Sequence, residues 1–460
     1  MIETIHKAIS AINGVVWGWP MLGLLLGTHV FLTIRLKFIQ KYTFKALKLA
    51  VKKDKNAPGD VSQFGALSTA LAATLGTGNI VGVAMAIYLG GPGAIFWLWI
   101  TGFFGIATKY SEGLLAVKYR VKTSSGTMLG GPMYALERGL KMKWLGILFA
   151  IFCSIAAFGI GNMVQVNAIS MMMENQFNVN THVTGAVLFL ITFAVVVGGI
   201  KWIAKFSAKI VPTYAVIFIL MNLIVIGINL NYVPEALALI VKSAFTPQAA
   251  GGGFVASTLL MAMRFGVARG LFSNESGLGS APLAAAAAVT RNPVRQALVS
   301  MSAVFLDTIV MCFLTGLMLV TTILKNPAGF EGLGGAQFVS FAYNQIPIIG
   351  PIILTIGIFL FAWTTVLGWC YYAEKTMEYL FGKKCIMPFR VVFSIVAYVG
   401  AVIPLAVVWD AADMFNAFMA IPNLIALILL SGVLVSETKK YLWNDNLDAV
   451  STDELPVINN

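Results

Sequence analysis

Apolar stretches long enough to cross a lipid bilayer follow one another along almost the whole chain. A helix needs about 20 apolar residues to span the hydrocarbon core. On that rule the sequence predicts eleven spans, at residues 14–36, 62–89, 93–117, 144–172, 182–200, 208–230, 252–270, 296–324, 348–373, 388–405 and 412–436. Only 11% of the 460 residues are charged, whereas ordinary soluble domains carry about 25%. The chain is therefore predicted to be an all-α integral membrane protein.

Lysine and arginine are unevenly distributed between the loops that join these spans. Of the 31 basic residues, 25 fall in alternate loops, with the span ends beside them, and in the C-terminal tail; three fall in the remaining loops, and three lie deeper within spans. Membrane proteins keep their basic loops in the cytoplasm. The chain is thus expected in the cell membrane with its N-terminus outside and its C-terminus in the cytoplasm. The net charge of +12 reflects this orientation, and no nucleic-acid partner is expected.

The first cytoplasmic segment, residues 36–55, mixes lysines with large apolar side chains. This composition is typical of an amphipathic helix that lies on the membrane and is attracted to anionic lipid. A solvated basic loop explains the same composition equally well. Membrane lipid is thus one expected partner, and both interpretations remain open from the sequence.

Two glycines lie at the centre of the second predicted span. Gly76 and Gly78 have the polar neighbours Thr74, Thr77 and Asn79. Each glycine costs about 1 kcal/mol of helix propensity and allows unusual backbone angles. Close helix packing through a Gly-x-x-x-Gly pair that begins at Gly78 is the alternative explanation. Packing does not require polar side chains at mid-membrane, so the pattern favours a broken helix that lines a binding site.

The seventh predicted span carries a second set of interruptions. They are Gly266, Gly270, Gly277, Gly279 and Pro282. The sequence beyond the span, residues 271–290, is expected to continue it as a helix rich in small residues. Interrupted segments at corresponding positions of two halves are typical of transporters built from inverted repeats.

These two interruptions predict how the chain is divided. Residues 1–60 would form an extra N-terminal span with the basic segment, and residues 61–231 and 232–436 would form two inverted repeats of five spans. Residues 437–460 would form a cytoplasmic tail.

Ionisable residues inside membrane spans need partners. Lys109 and Glu112 share one face of the third span and are expected to neutralise each other near the cytoplasmic surface. Arg264 and Arg269 could form gating ion pairs, with Glu275 as a candidate partner, or a structural salt bridge. Asp307, inside the eighth span, has no evident partner in the sequence.

Neutral polar side chains mark two further spans. The ninth span carries adjacent hydroxyls at Thr364 and Thr365, which could complete an oxygen cage for an alkali ion with main-chain carbonyls of the broken second span. In the fourth span, Asn162, Gln165 and Asn167 could line a polar pocket or bond neighbouring helices. The sequence does not decide between these two roles.

Three motifs resemble a known family. Gly90-Gly-Pro-Gly-Ala-Ile-Phe-Trp-Leu-Trp-Ile-Thr-Gly is similar to the signature of the alanine or glycine:cation symporter (sodium:alanine symporter) family, within the amino acid-polyamine-cation superfamily, with Leu98 where methionine is usual. Gly130-Gly-Pro-Met-Tyr and Arg269-Gly-Leu-Phe-Ser-Asn-Glu-Ser-Gly-Leu-Gly-Ser-Ala-Pro resemble two further blocks of the family. The resemblance covers nearly the full length of the chain.

The resemblance implies a leucine-transporter-like fold of 5+5 inverted repeats behind one extra N-terminal helix. It also implies sodium-driven uptake of small neutral amino acids such as alanine and glycine by alternating access. The sodium ligands implied by the fold are the carbonyls of Ala72, Leu75 and Phe361 and the hydroxyls of Thr364 and Thr365. The expected substrate residues are Thr74, Gly76, Thr77, Gly78, Asn79, Gln165, Phe272, Ser273, Asn274 and Trp363.

Several functional alternatives can be weighed from the sequence. No acidic residue stands close in the sequence to the predicted helix break at Gly76 to Asn79. A zwitterionic substrate is therefore expected rather than a cationic one. A proton-coupled amino acid transporter is the main alternative, and an amino acid channel is less favoured. No nucleophile with its base, aspartate pair or metal motif is visible, so an intramembrane enzyme is not expected.

Overall fold

The structure, a computed structural model, describes residues 2–458 apart from residues 53, 55–56, 248–253, 255–256 and 404–405. The first half contains helices α1 (Ile2–Val16), α2 (Trp19–Arg35), α3 (Thr43–Ala50), α4 (Gln63–Thr74), α5 (Gly78–Gly90), α6 (Gly93–Lys118), α7 (Lys143–Phe177), α8 (Thr181–Val196) and α9 (Gly199–Ile228). The second half contains α10 (Val233–Ser243), α11 (Leu259–Asn274), α12 (Pro282–Ala285), α13 (Pro293–Lys325), α14 (Gly335–Tyr343), α15 (Ile349–Phe381), α16 (Ile386–Val402), α17 (Ala406–Leu429) and α18 (Ser431–Thr438). Three short strands complete the fold: β1 (Val121–Thr123), β2 (Met128–Leu129) and β3 (Val457–Ile458).

The expected all-helical membrane architecture is confirmed, and each predicted span overlaps a helix. Among the described residues, six helices are long and apolar enough to cross a membrane, or up to eight if each bent pair counts as one span. The other three predicted spans correspond to α6, α8 and α11. Helices α8 and α11 have only 16 residues each, and α6 carries Lys109 and Glu112. The count of eleven therefore stays a prediction.

The first predicted span, 14–36, is formed by two helices. Helix α1 meets α2 at an angle of 42° and packs against α17. Part of the basic segment at 36–55 is helical, because α3 buries Ala46 and Leu49 while Phe44 remains exposed. Helix α3 packs against the start of α13.

The seventh span differs from its prediction. Helix α11 continues through Gly266 and Gly270. A Cβ on Gly266 would lie 2.3 Å from the Ala94 carbonyl oxygen of α6, whereas a Cβ on Gly270 would make only ordinary contacts of 3.4 Å or more. Gly266 therefore permits close packing, and neither glycine breaks the helix. The chain leaves helical geometry at Glu275, which has a φ of 54°. The expected helical continuation over 271–290 is wrong, since only the single turn α12 is helical beyond Asn274 in that range.

The chain segments on the predicted cytoplasmic side of the two interrupted helices are joined to each other. The segment before α4 pairs with the segment after α12, with a parallel bridge between Val61 and Ala288. Arg120, which follows α6, lies across this joint with only 5% of its surface exposed. Its guanidinium donates hydrogen bonds to the carbonyl oxygens of Ala286 (3.1 Å), Ala288 (2.8 Å) and Pro58 (3.0 Å). The Arg120 side chain therefore stabilises the joint between the segment before α4 and the segment after α12.

The C-terminal tail folds back onto the same side. Strand β3 pairs in parallel with β1, directly after Arg120, and β2 completes the three-stranded sheet. Lys118 forms ion pairs with Glu437 (2.8 Å) and Asp453 (2.7 Å). The tail thus supports the loop that carries Arg120.

We predict that Arg120→Gln lowers the free energy of unfolding by about 2–3 kcal/mol, because buried carbonyls lose charged donors. Lys122→Gln in β1 is the matched control, since Lys122 is exposed. Thermal unfolding in detergent measures both variants. Equal transition temperatures for the two would show that the joint does not depend on Arg120.

Candidate functional site

The second predicted span is broken, as expected from its glycines. Helix α4 ends at Thr74, α5 begins at Gly78, and the two are bent by 51°. Asn79 stabilises the break, because its Oδ1 accepts a hydrogen bond from the Gly76 N–H at 3.2 Å. The first turn of α5, Gly78–Gly82, is a π-helix, a form common at functional sites.

Gln165 of α7 holds the other side of this break. Its Oε1 accepts hydrogen bonds from the N–H (3.3 Å) and the hydroxyl (3.1 Å) of Thr77. Its Nε2 donates to the Ile160 carbonyl (3.0 Å) within another π-helical segment, Gly159–Met163. Between the two roles left open for this side chain, the structure favours a polar lining at the break.

The amides Asn162 and Asn167 bond a neighbouring helix instead. Asn162 Nδ2 donates to the Phe393 carbonyl of α16 at 2.7 Å, and Asn167 Nδ2 donates to the Gly400 carbonyl at 3.3 Å. These two side chains therefore connect α7 to α16 and leave Gln165 as the amide of α7 that reaches the break.

The second break, at the end of α11, is held by charged groups of α6. Lys109 Nζ donates a hydrogen bond to the Asn274 carbonyl at 2.8 Å. Glu112 Oε1 accepts from the N–H groups of Gly277 (3.0 Å) and Gly279 (2.9 Å) and from Asn423 Nδ2 (2.7 Å). Lys109 and Glu112 were expected to neutralise each other near the cytoplasmic surface. The structure buries both side chains, and both bind the non-helical backbone of this break.

Asp307 connects the two broken helices. It lies in the π-helical segment Phe305–Cys312 of α13 and is fully buried. Its Oδ1 accepts a hydrogen bond from Asn79 Nδ2 at 2.7 Å. The Ser273 hydroxyl of α11 lies 3.0 Å from both carboxylate oxygens, and the Thr308 hydroxyl donates to Oδ2 at 2.6 Å. One carboxylate therefore joins α5, α11 and α13.

This contact corrects an argument made from the sequence. No acidic residue was expected near the break, but Asp307 is bonded to Asn79 within it. The two residues are 228 positions apart in the chain, so only the fold reveals their contact. A preference for zwitterionic substrates cannot be based on the absence of an acid.

The oxygen atoms proposed as sodium ligands lie close together. The Thr365 hydroxyl lies 3.1 Å from the Ala72 carbonyl oxygen, 3.4 Å from that of Leu75 and 3.0 Å from that of Phe361. The Thr364 hydroxyl lies 3.0 Å from the same Phe361 oxygen. Helix α15 is thus held against the last turn of α4, at the edge of the break.

Aromatic side chains cover one side of the break. A Cβ on Gly78 would lie 3.1 Å from the ring of Phe272, so a glycine allows α11 to approach α5 closely. The Phe272 ring stacks on Trp409 at 5.8 Å. Arg269 forms an ion pair with Asp413 of α17 at 3.2 Å.

Two expectations about this region are not met. Arg269 does not pair with Glu275, whose Oε2 accepts a hydrogen bond from the Ser280 hydroxyl. Trp363, expected at the substrate, donates its indole N–H to Thr192 of α8 at 3.1 Å. Its ring packs against Phe206 of α9, so the structure places this side chain away from the break.

Comparison with known proteins identifies the family. The sequence profile of the sodium:alanine symporter family matches residues 2–454. The chain belongs to this family. It is therefore a multi-pass membrane transporter of the symporter class and not an enzyme.

Relatives of this symporter cover nearly its full length. A Methanococcus maripaludis protein named sodium/alanine symporter AgcS is 52% identical over 94% of this chain and 96% of its own. An uncharacterized transporter of Haemophilus influenzae is 50% identical over 98% of this chain and 99% of its own. A Bacillus subtilis protein named as a probable sodium/glutamine symporter, GlnT, is 36% identical over 96% of this chain and 91% of its own.

Solved structures support the leucine-transporter-like fold. MhsT in complex with L-phenylalanine superimposes with a TM-score of 0.59 at 15% identity, covering 85% of this chain and 95% of that one. A Na⁺-coupled sialic acid symporter gives a TM-score of 0.52 at 13% identity, covering 92% and 98%. At these identities the similarity extends to the fold alone.

We predict that Asp307→Asn destabilises the symporter by about 1.5–3 kcal/mol, because Asn79, Ser273 and Thr308 lose a charged acceptor. Asp445→Asn removes the same charge at an exposed position with a φ of 54°, which asparagine tolerates, and is the control. Thermal unfolding in detergent compares the two variants. An unfolding temperature for Asp307→Asn equal to that of the control would contradict the bridging role.

Proposed function

We propose that the protein couples inward sodium flow to the uptake of small neutral amino acids by alternating access across the cell membrane. Membership of the sodium:alanine symporter family supports this, as do the relatives named for sodium with alanine or glutamine. The proposed topology has two inverted repeats of five spans, an extracellular N-terminus and a cytoplasmic C-terminus.

The observation that carries the proposal is that the break at Gly76 lies directly beside Thr365 of the proposed sodium site. Leu75 would contribute its carbonyl to the ion, and the next residue, Gly76, begins the substrate site. A Cβ on Gly76 would lie 2.5 Å from Thr365 Oγ1 and 3.2 Å from Gln165 Oε1. An ion bound by Thr365 would therefore hold the backbone at Gly76 in place for the substrate. Binding of the ion and binding of the substrate would thus be coupled.

The substrate carboxylate would use the start of α5. Main-chain N–H groups at the beginning of a helix, together with its dipole, favour an anion. The N–H groups of Gly76 and Thr77 already point to acceptors, the side-chain oxygens of Asn79 and Gln165. A bound carboxylate would take over these donors. The ammonium group would meet carbonyl oxygens of the break, with Asp307 as the nearby negative charge.

The available energy is sufficient for concentrative uptake. One charge crossing 100 mV contributes about 2.3 kcal/mol, and a tenfold ion gradient adds about 1.4 kcal/mol. One sodium ion per substrate could then sustain a gradient of roughly several hundredfold.

Asp307 supports proton coupling as the second candidate. It is a carboxylate at the junction of both breaks, and such a group can carry a proton. A Bacillus subtilis relative, 35% identical, is named as a putative sodium/proton-dependent alanine carrier.

Uptake of labelled alanine into proteoliposomes separates these candidates. Sodium coupling requires that an inward sodium gradient drives uptake at equal pH on both sides, and that a negative interior increases it. Uptake driven by a pH gradient without sodium would favour proton coupling. Flux that neither saturates nor needs a co-ion would indicate a channel and contradict the proposal.

We predict that Thr365→Val raises the sodium concentration for half-maximal alanine uptake about tenfold or more, because an oxygen ligand is lost while the shape is kept. Thr355→Val is the matched control in the same helix, since the Thr355 hydroxyl donates only to the Pro351 carbonyl. Sodium titrations of uptake compare them. Unchanged sodium activation in Thr365→Val would contradict the proposal that the Thr365 hydroxyl is a sodium ligand.

A further inference from the structure

A groove of about 870 Å³ lies between α9 and α15 on the outer surface of the helix bundle. This volume is within the range of roughly 300–1,000 Å³ that ligand pockets occupy. Helix α9 lines it with a stripe of side chains four residues apart, which belong to one face of a helix. Within this stripe Lys205 and Lys209 come first, Thr213 follows, and Ile217 is last.

The chemistry of the groove changes in order along its length. The ammonium groups of Lys205 and Lys209 are at one end. Thr213 comes next, and its hydroxyl donates to the Lys209 carbonyl at 2.8 Å. Isoleucine and leucine side chains of both helices, Ile217, Ile353 and Leu360 among them, line the apolar part. A phospholipid has the same order of groups: a charged phosphate, ester oxygens and an acyl chain. We propose that the groove binds one anionic phospholipid, with its phosphate at Lys205 and Lys209.

The charge of the groove supports an anionic occupant. Both lysines are exposed, and within the part of the chain that the structure describes, neither forms an ion pair. They belong to the predicted cytoplasmic loop 201–209, on the side where anionic lipids are concentrated. Two unpaired cations at the membrane surface, above an apolar channel, favour an anionic lipid over a zwitterionic one.

Trp202 marks the level of the headgroups. Its indole lines the same end of the groove and is 64% exposed. Tryptophan is enriched at the membrane–water interface. Its position beside Lys205 therefore places the lysine end of the groove at the interface and the isoleucine end in the hydrocarbon region.

The inner wall of the groove is shared with the proposed ion site. The ring of Tyr214 packs against Phe361 at 4.9 Å, and the Tyr214 hydroxyl donates to the Ile353 carbonyl. Phe361 supplies one of the carbonyls of the proposed sodium cage. The lipid site itself does not depend on the proposed function, because it is argued from the groove and its lysines alone.

Quenching of Trp202 fluorescence by brominated lipid tests the binding directly. The protein is reconstituted in phosphatidylcholine vesicles with increasing brominated phosphatidylglycerol or brominated phosphatidylcholine. The Trp202 signal is the difference between the native protein and Trp202→Phe. We expect brominated phosphatidylglycerol to quench at a roughly five- to thirtyfold lower mole fraction, since two lysines attract its phosphate.

Variants assign this preference to the two lysines. Lys205→Gln with Lys209→Gln should abolish the preference, whereas Lys383→Gln with Lys384→Gln, at exposed positions beyond α15, should retain it. Equal quenching by both lipids in the native protein would show that the groove does not select anionic lipid, which would overturn the proposal. Absence of quenching by either lipid, as when a second copy of the chain fills the groove, would overturn it too.

Discussion

Backbone that leaves helical geometry inside a membrane must find its hydrogen-bond partners within the protein. Both interruptions meet this requirement with side chains from other parts of the chain. At the first break, Asn79 and Gln165 accept hydrogen bonds from the N–H groups of Gly76 and Thr77, which have no partner within a helix. At the second, Lys109 and Glu112 of α6 bind a carbonyl and two N–H groups. Buried polar residues are costly in a bilayer. Here they are retained because they supply the hydrogen bonds that two non-helical stretches of backbone need.

The two breaks form one centre because Asp307 connects them. Its carboxylate receives hydrogen bonds from Asn79 on one broken helix and lies beside Ser273 on the other. Thr365 joins the same centre through the carbonyls of Ala72 and Leu75. A ligand that moves any of these groups must disturb the others. This connectivity is the physical basis on which the proposed coupling of ion and substrate depends.

The sequence predicted what depends on local chemistry. Membrane-length apolar runs indicated the helices, and Gly76 with Gly78 indicated the first break, because glycine alters backbone preference wherever it stands. The sequence did not predict the role of Asp307, because the partners of Asp307 belong to helices far away in the chain. The only available signal was an ionisable residue inside a span. Glu112 was assigned to Lys109 because of their spacing, but the second break offered better partners. Spacing along one helix does not reveal which neighbouring backbone is left unpaired.

We propose that sodium and the amino acid bind to one connected centre. Binding at coupled sites is reciprocal, so each ligand must raise the affinity for the other by the same factor. Calorimetry on the purified protein can measure alanine binding with and without sodium, and sodium binding with and without alanine, with potassium as the control ion. Our account predicts equal enhancement factors of roughly tenfold or more and no effect of potassium. Alanine binding of the same affinity with and without sodium would contradict it.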